Sequence, residues 1–108
     1  MCVIYAIINY IFILLVIFEM EKFIVFGFYC KDVIIKREPY REQHLNRLKE
    51  LKDSNILVTL GPTKCTKYLF GIFNANDENQ LRELIEEDIY WEKGIWINYD
   101  IYPWIQVF

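Results

Sequence analysis

Asn55-Ile-Leu-Val-Thr-Leu-Gly-Pro-Thr-Lys-Cys-Thr-Lys-Tyr-Leu-Phe-Gly-Ile-Phe73 carries two strand-like runs in succession. They are Asn55–Leu60 and Lys67–Phe73, parted by the turn signal Gly61-Pro62. A helical segment is predicted on either side. Upstream, Pro39 suits a first helical turn, and the helix runs to about Asp53. Downstream, Asn76 is positioned to cap a helix whose first turn carries Asp77 and Glu78, both favourable near a positive helix end. That helix is expected to end near Asp88.

Working outward, Phe23-Ile-Val-Phe-Gly-Phe-Tyr-Cys30 is β-branched and aromatic and reads as a first strand, with Lys31 to Arg37 a connection. A short irregular or helical piece from Tyr90 to Gly94 leads into a last strand, Trp96 to about Val107. The order β-α-β-β-α-β folds through right-handed crossovers into a four-stranded antiparallel sheet, order 4-1-3-2, with both helices on one face. The fold class is therefore α+β. Pro103 falls in the last strand, which this topology puts on an edge, where proline is tolerated.

The uncovered face is also apolar. Ile24, Phe26 and Phe28 alternate with Phe23, Val25 and Tyr29, while Tyr68, Phe70 and Ile72 alternate with Leu69 and Phe73. Helices cover one side only, so the other is expected to be an interface, in a homodimer packed sheet on sheet and closing as an α/β-barrel-like assembly.

The 108 residues suit one domain, expected over residues 20–108, with residues 1–19 an extension. Within residues 1–18 only Asn9 is not hydrophobic, and none is charged. A helix of that length is about 27 Å long, marginal for a hydrocarbon core of roughly 30 Å. No Lys or Arg precedes the run and no cleavage site follows, so it is not a signal peptide. Three readings stand: a misassigned start, with Met20 the true one and a cytoplasmic protein, a single-pass anchor through residues 2–18, or an extra helix packed on the domain.

Twelve basic against fifteen acidic residues give a net charge of −3, without a basic stripe. Nucleic acid is an unexpected partner, although RNA-recognition modules share this strand order. Cys2, Cys30 and Cys65 are odd in number, lack CxxC spacing and accompany a single histidine, so no metal is expected and free thiols in a reducing compartment fit best. Cys65 has no second histidine to activate it and reads as a packed or idle thiol.

That histidine, His44, stands on the apolar stripe of the first helix with Leu45, Leu48 and Leu51. On the second helix Leu81, Leu84, Ile85 and Asp88 fall at i, i+3, i+4 and i+7, so Asp88 ends a buried stripe. The topology brings both to one end of the sheet, beside Gly61-Pro62. A carboxylate bonded to an imidazole fixes its tautomer and stabilises the imidazolium, which tunes histidine for acid–base work. The plainer reading is a satisfied core histidine and a helix-end aspartate. Glu86, Glu87 and Asp88 at a helix C-terminus should each gain proton affinity from the macrodipole. Arg41, one turn before His44, is a candidate for an anionic ligand, a surface ion pair being the alternative.

At these residues the chain resembles the YCII-related (YciI-like) family of small proteins. The resemblance runs through Arg41-x-x-His44-Leu45-x-x-Leu48, Leu57-x-x-Leu60-Gly61-Pro62, the strand Leu69–Phe73, Asp88-x-Tyr90 followed by Gly94, and Pro103-Trp104, over about residues 22–108. It implies a ferredoxin-like fold, usually dimeric, with a pocket in which a histidine and an aspartate are proposed as catalytic; His44 and Asp88 match those positions. A few relatives are associated with dehydrochlorination of chlorinated hydroxyquinones, and the wider fold group includes muconolactone isomerases. The family often has Asp-Pro-Tyr where this chain has Asp88-Ile89-Tyr90, so the backbone at Asp88 is expected to be less constrained.

Two functions are expected to compete. One is a cofactor-free enzyme of lyase or isomerase type acting on a small cyclic or anionic substrate. His44 and Asp88 would be catalytic, and Arg41, Gly61, Pro62 and Tyr90 would bind substrate. The other is a non-catalytic dimeric module that binds a small molecule or assists a partner enzyme.

Overall fold

A computed structural model of the chain describes residue 4, residues 7–11 and residues 20–108. The choice among an anchor, a misassigned start and a packed extra helix concerns residues 1–19 and lies largely outside the described residues. Among the described residues no helix is long and apolar enough to cross a membrane.

The elements run β1 (Glu21–Tyr29), α1 (Val33–Lys36), a 3₁₀ turn (Glu38–Tyr40), α2 (Arg41–Asp53), β2 (Leu57–Pro62), β3 (Tyr68–Ala75), α3 (Glu78–Glu86), α4 (Ile89–Glu92) and β4 (Trp96–Trp104). The sheet is antiparallel with order β2-β3-β1-β4, the expected order read from its other edge. β1 is central because it is the most apolar strand on both faces. Phe23, Val25 and Tyr29 are buried with Leu69, Phe73, Tyr99 and Ile101 beneath Leu81 and Ile85 of α3, with Leu48 and Leu51 of α2 packed against them. Pro103 pairs with Phe23 on the edge strand β4, as its missing N–H requires.

Several boundaries differ from expectation, each for a local reason. Asn55 does not begin a strand. It takes a left-handed φ of 60° and ends α2, its amide donating to Lys52 and that of Ile56 to Leu51. The connection 31–37 contains the single turn α1. The cap of α3 is Asp77, not Asn76: the Asp77 carboxylate accepts from the Gln80 amide while Gln80 Oε1 accepts from the Asn76 amide, a near-reciprocal capping box. β4 stops at Trp104 rather than Val107.

The sheet's other face is open. Phe26 stacks on Tyr68 at 5.6 Å, Phe28 meets both edge-on at 5.8 and 5.5 Å, and Phe70 and Tyr102 stay exposed beside them. On the covered face the middle of β3 carries Gly71. A Cβ there would stand 2.5 Å from Leu60 Cδ1 and 3.2 Å from the Thr59 carbonyl, so β2 packs into the space a side chain would take.

Candidate active site

Asp88 does not end α3. The helix stops at Glu86, and Asp88 adopts an extended φ of −72° and ψ of 140° as the cap of α4. Its Oδ1 accepts from the Tyr90 amide at 2.9 Å, the ordinary work of a capping aspartate. The same oxygen lies 2.7 Å from His44 Nδ1, and Oδ2 accepts from Arg47 Nη1 at 3.0 Å. Arg47 also donates through Nη2 to the Leu84 carbonyl at 2.7 Å, tying α2 to the end of α3. The carboxylate is fully buried and serves three donors from two elements.

This placement reverses the expected electrostatics. Burial pushes the Asp88 carboxyl up, but the His44 hydrogen bond and charge, the Tyr90 amide and the Arg47 guanidinium together hold it below the usual carboxylate range. The macrodipole of α3 does not govern it, because Asp88 sits at the positive start of α4. Of its acidic neighbours, Glu86 accepts from the Tyr99 hydroxyl at 3.0 Å and Glu87 is largely exposed.

His44 is the only buried residue of α2. Its ring lies on Tyr90, 3.6 Å between centroids and 11° from parallel, with Trp96 edge-on at 5.1 Å. Asp88 takes Nδ1, fixing the imidazole in the tautomer with its proton there and leaving Nε2 without a partner among the described residues. Gly94, at φ 67°, ends α4, and the Ile95 amide returns to the Tyr90 carbonyl, which delivers Trp96 to this spot.

His44 borders a cavity of about 190 Å³ lined by Tyr29, Arg37, Arg41, Leu45, Leu48, Leu60, Gly61, Pro62 and Tyr90. Arg41, Gly61, Pro62 and Tyr90 are therefore brought together as expected, with Asp88 behind the histidine. Apart from its two chain neighbours, no described residue comes within 4 Å of a Cβ built at Gly61, so packing does not demand glycine there. Leu45 is 42% exposed at the cavity rather than packed inward. Arg41 makes no ion pair with any described residue. Burial raises the Tyr29 and Tyr90 phenols; the Trp96 indole pulls Tyr29 back down, and the Arg37 charge acts the same way on both.

Cys65 is not at this site. With Cys30 it lines a neighbouring cleft whose wall includes Tyr29, and its Sγ lies 3.2 Å from Thr63 Oγ1. Both described cysteines are free, and no metal-binding group of three or more His, Cys, Asp or Glu occurs among the described residues.

Sequence reasoning missed Arg37, Arg47, Tyr29 and Trp96. Arg47 was findable, since it follows His44 by three positions and so shares its face of the helix. Arg37 carries no periodic signal, because it lies between a single α turn and a 3₁₀ turn.

The profile of the YCII-related domain matches residues 21–105. The chain belongs to this family. Among solved structures, it is similar to the 5-chloro-2-hydroxyhydroquinone dehydrochlorinase of Burkholderia phenoliruptrix AC1100 in complex with 2,5-dihydroxybenzoquinone. The TM-score is 0.67 at 19% identity, covering 78% of this chain and 93% of that one, which shows a shared fold. No curated protein matches the chain. The YCII-related domain thus accounts for the βαββαβ architecture from β1 through β4.

Proposed function

We propose that the protein is a small-molecule enzyme that uses His44 as a general base without an organic cofactor, in a lyase or isomerase type of reaction on a small cyclic or anionic substrate. The observation that carries this reading is the buried 2.7 Å contact between His44 Nδ1 and Asp88, which aligns the ring and leaves Nε2 beside the cavity. In the reaction, Nε2 takes a proton from a carbon next to a carbonyl, or from an enol hydroxyl conjugated to the carbon that bears the leaving group. The released electron pair forms a C=C or C=O bond and expels the leaving group with its bonding electrons; in an isomerisation the pair from carbon instead takes up a proton at another carbon. The new imidazolium is stabilised by the Asp88 carboxylate, which Arg47 keeps ionised and in place. Arg41 and Tyr90 hold the substrate against the wall made by Gly61 and Pro62.

The dehydrochlorinase named above performs, by its name, an elimination of the kind this site is suited to. The test is turnover of 5-chloro-2-hydroxyhydroquinone and other small cyclic compounds that carry a leaving group. His44→Gln should lower the rate 10²- to 10⁴-fold with its fold intact by circular dichroism. Binding without turnover in the parent protein would instead establish a binding or accessory module.

The functional unit in this reading is a homodimer formed through the open sheet face, since Phe26, Phe28, Tyr68 and Phe70 form an apolar aromatic surface that water would otherwise cover. The free thiols of Cys30 and Cys65 favour the cytoplasm as its compartment.

A further inference from the structure

Arg37 lines the cavity, and its Nε is buried without any hydrogen-bond partner among the described residues. A buried charged donor left unsatisfied is costly, so native proteins carry few. Behind His44 and Tyr90, Trp96 packs edge-on at 5.1 and 5.8 Å, with its indole turned to the Tyr29 hydroxyl. A guanidinium with an unused donor beside a cavity has the character of a site built for an acceptor.

The charges around the cavity say which kind. Arg37 and Arg41 both line it, and neither pairs with a described carboxylate. The one buried carboxylate nearby, Asp88, is already committed to His44, Arg47 and the Tyr90 amide. Arg37 is also fixed at its backbone: its amide donates to Val33 and its carbonyl accepts from Tyr40. A guanidinium on a fixed stem, with one N–H buried and unused, is preorganised to bind an anionic oxygen.

We infer that Arg37 is the specificity-determining residue of this cavity, receiving the anionic oxygen of a single-ring ligand at its guanidinium with Arg41 as the second cation. The inference rests on the proposal that the cavity is a small-molecule site. Size supports the single ring. A cavity of about 150 Å³ accepts benzene, so about 190 Å³ has room for one substituted ring. The anionic oxygen sits on the Arg37 side, and the ring spans from there to His44 Nε2 between Leu60 and Tyr90.

The test uses benzoate, its neutral isostere benzamide and 2-naphthoate as probes, with binding followed by NMR. The full chain supplies two reporters at the site, the single histidine ring and the Trp96 indole N–H. Benzoate should bind at least tenfold more tightly than benzamide and 2-naphthoate, moving both reporters. Arg37→Gln should erase the preference for benzoate over benzamide. If that variant fails to fold, Arg37→Lys keeps a point charge without the Nε donor and should weaken benzoate several-fold.

Equal affinity for benzoate and benzamide, benzoate binding unchanged in either variant, shifts confined to residues away from His44 and Trp96, or no benzoate binding at millimolar concentration would each overturn the inference. Its failure is distinguishable from failure of the enzyme reading. Arg37-dependent benzoate binding with no turnover of any compound removes only the enzyme. Turnover that needs His44 and ignores Arg37 removes only the anion site.

Discussion

Replacing Asp88 by Asn tests the central claim that one buried carboxylate holds the site together. The side chain keeps its shape but loses its charge, and it can no longer accept from His44, Arg47 and the Tyr90 amide with full strength. Breaking a buried charge pair from one side costs about 3–5 kcal/mol. Asn retains one acceptor oxygen and Arg47 still holds the Leu84 carbonyl, so the lower figure of about 3 kcal/mol applies. For a domain of this size each kcal/mol moves Tm by roughly 4–8 °C, giving a fall of roughly 12–24 °C at neutral pH.

The pH dependence has a definite sign. Asp88 titrates below its ordinary range in the folded protein, so its stabilisation is complete above the unfolded value of about 3.9 and is lost as pH falls through the lower folded value. Melting curves of parent and Asp88→Asn at pH 7, 5 and 3 should show a gap that persists from pH 7 to 5 and narrows between pH 5 and 3. A variant that melts within about 2 °C of the parent at pH 7 would refute the reasoning, because a change that small is well below 1 kcal/mol. So would a gap that widens between pH 5 and pH 3.

Ile89→Pro should be tolerated within about 1 kcal/mol by thermal melting: Ile89 is the first residue of α4, and Asp88 already has the extended backbone that a following proline imposes. A drop of several kcal/mol would show that the Ile89 side chain matters more than the backbone. The Thr63 hydrogen bond lowers the exposed Cys65 thiol, so iodoacetamide at neutral pH should modify Cys65 ahead of Cys30, and Thr63→Val should slow it; peptide mass spectrometry reads both. In sedimentation the parent should run as a dimer and Phe70→Glu as a monomer, and a monomeric parent would remove the sheet-face interface.

The architecture was legible because its signals are local and redundant. Alternating Phe23 to Tyr29, the two strand runs around Gly61-Pro62 and the apolar stripe Leu81-Leu84-Ile85 each point to their element independently. The pairing of His44 with Asp88 was legible for a different reason: both are polar residues where a core residue belongs. What misled was continuity. The i+7 spacing carried Asp88 onto α3, whereas the chain breaks at Glu87 and restarts, so Asp88 faces a helix start and its proton affinity moves in the opposite direction. Arg37 was out of reach because what marks it is a hydrogen bond it does not make, and no spacing rule encodes an unmade bond.

The close approach of β2 to β3 at Gly71 gives a position outside the cavity control over what fits inside it. Leu60 forms part of the cavity wall and occupies the space a Gly71 side chain would need, with its Cδ1 only 2.5 Å from where a Cβ would stand. A methyl group at position 71 would displace Leu60, and in a cavity of about 190 Å³ the loss of one methyl's volume separates ligands that differ by a single substituent. The shape of the cavity is thus set partly by a strand position that does not line it. A directed search for altered selectivity that varied only the lining residues would pass over it.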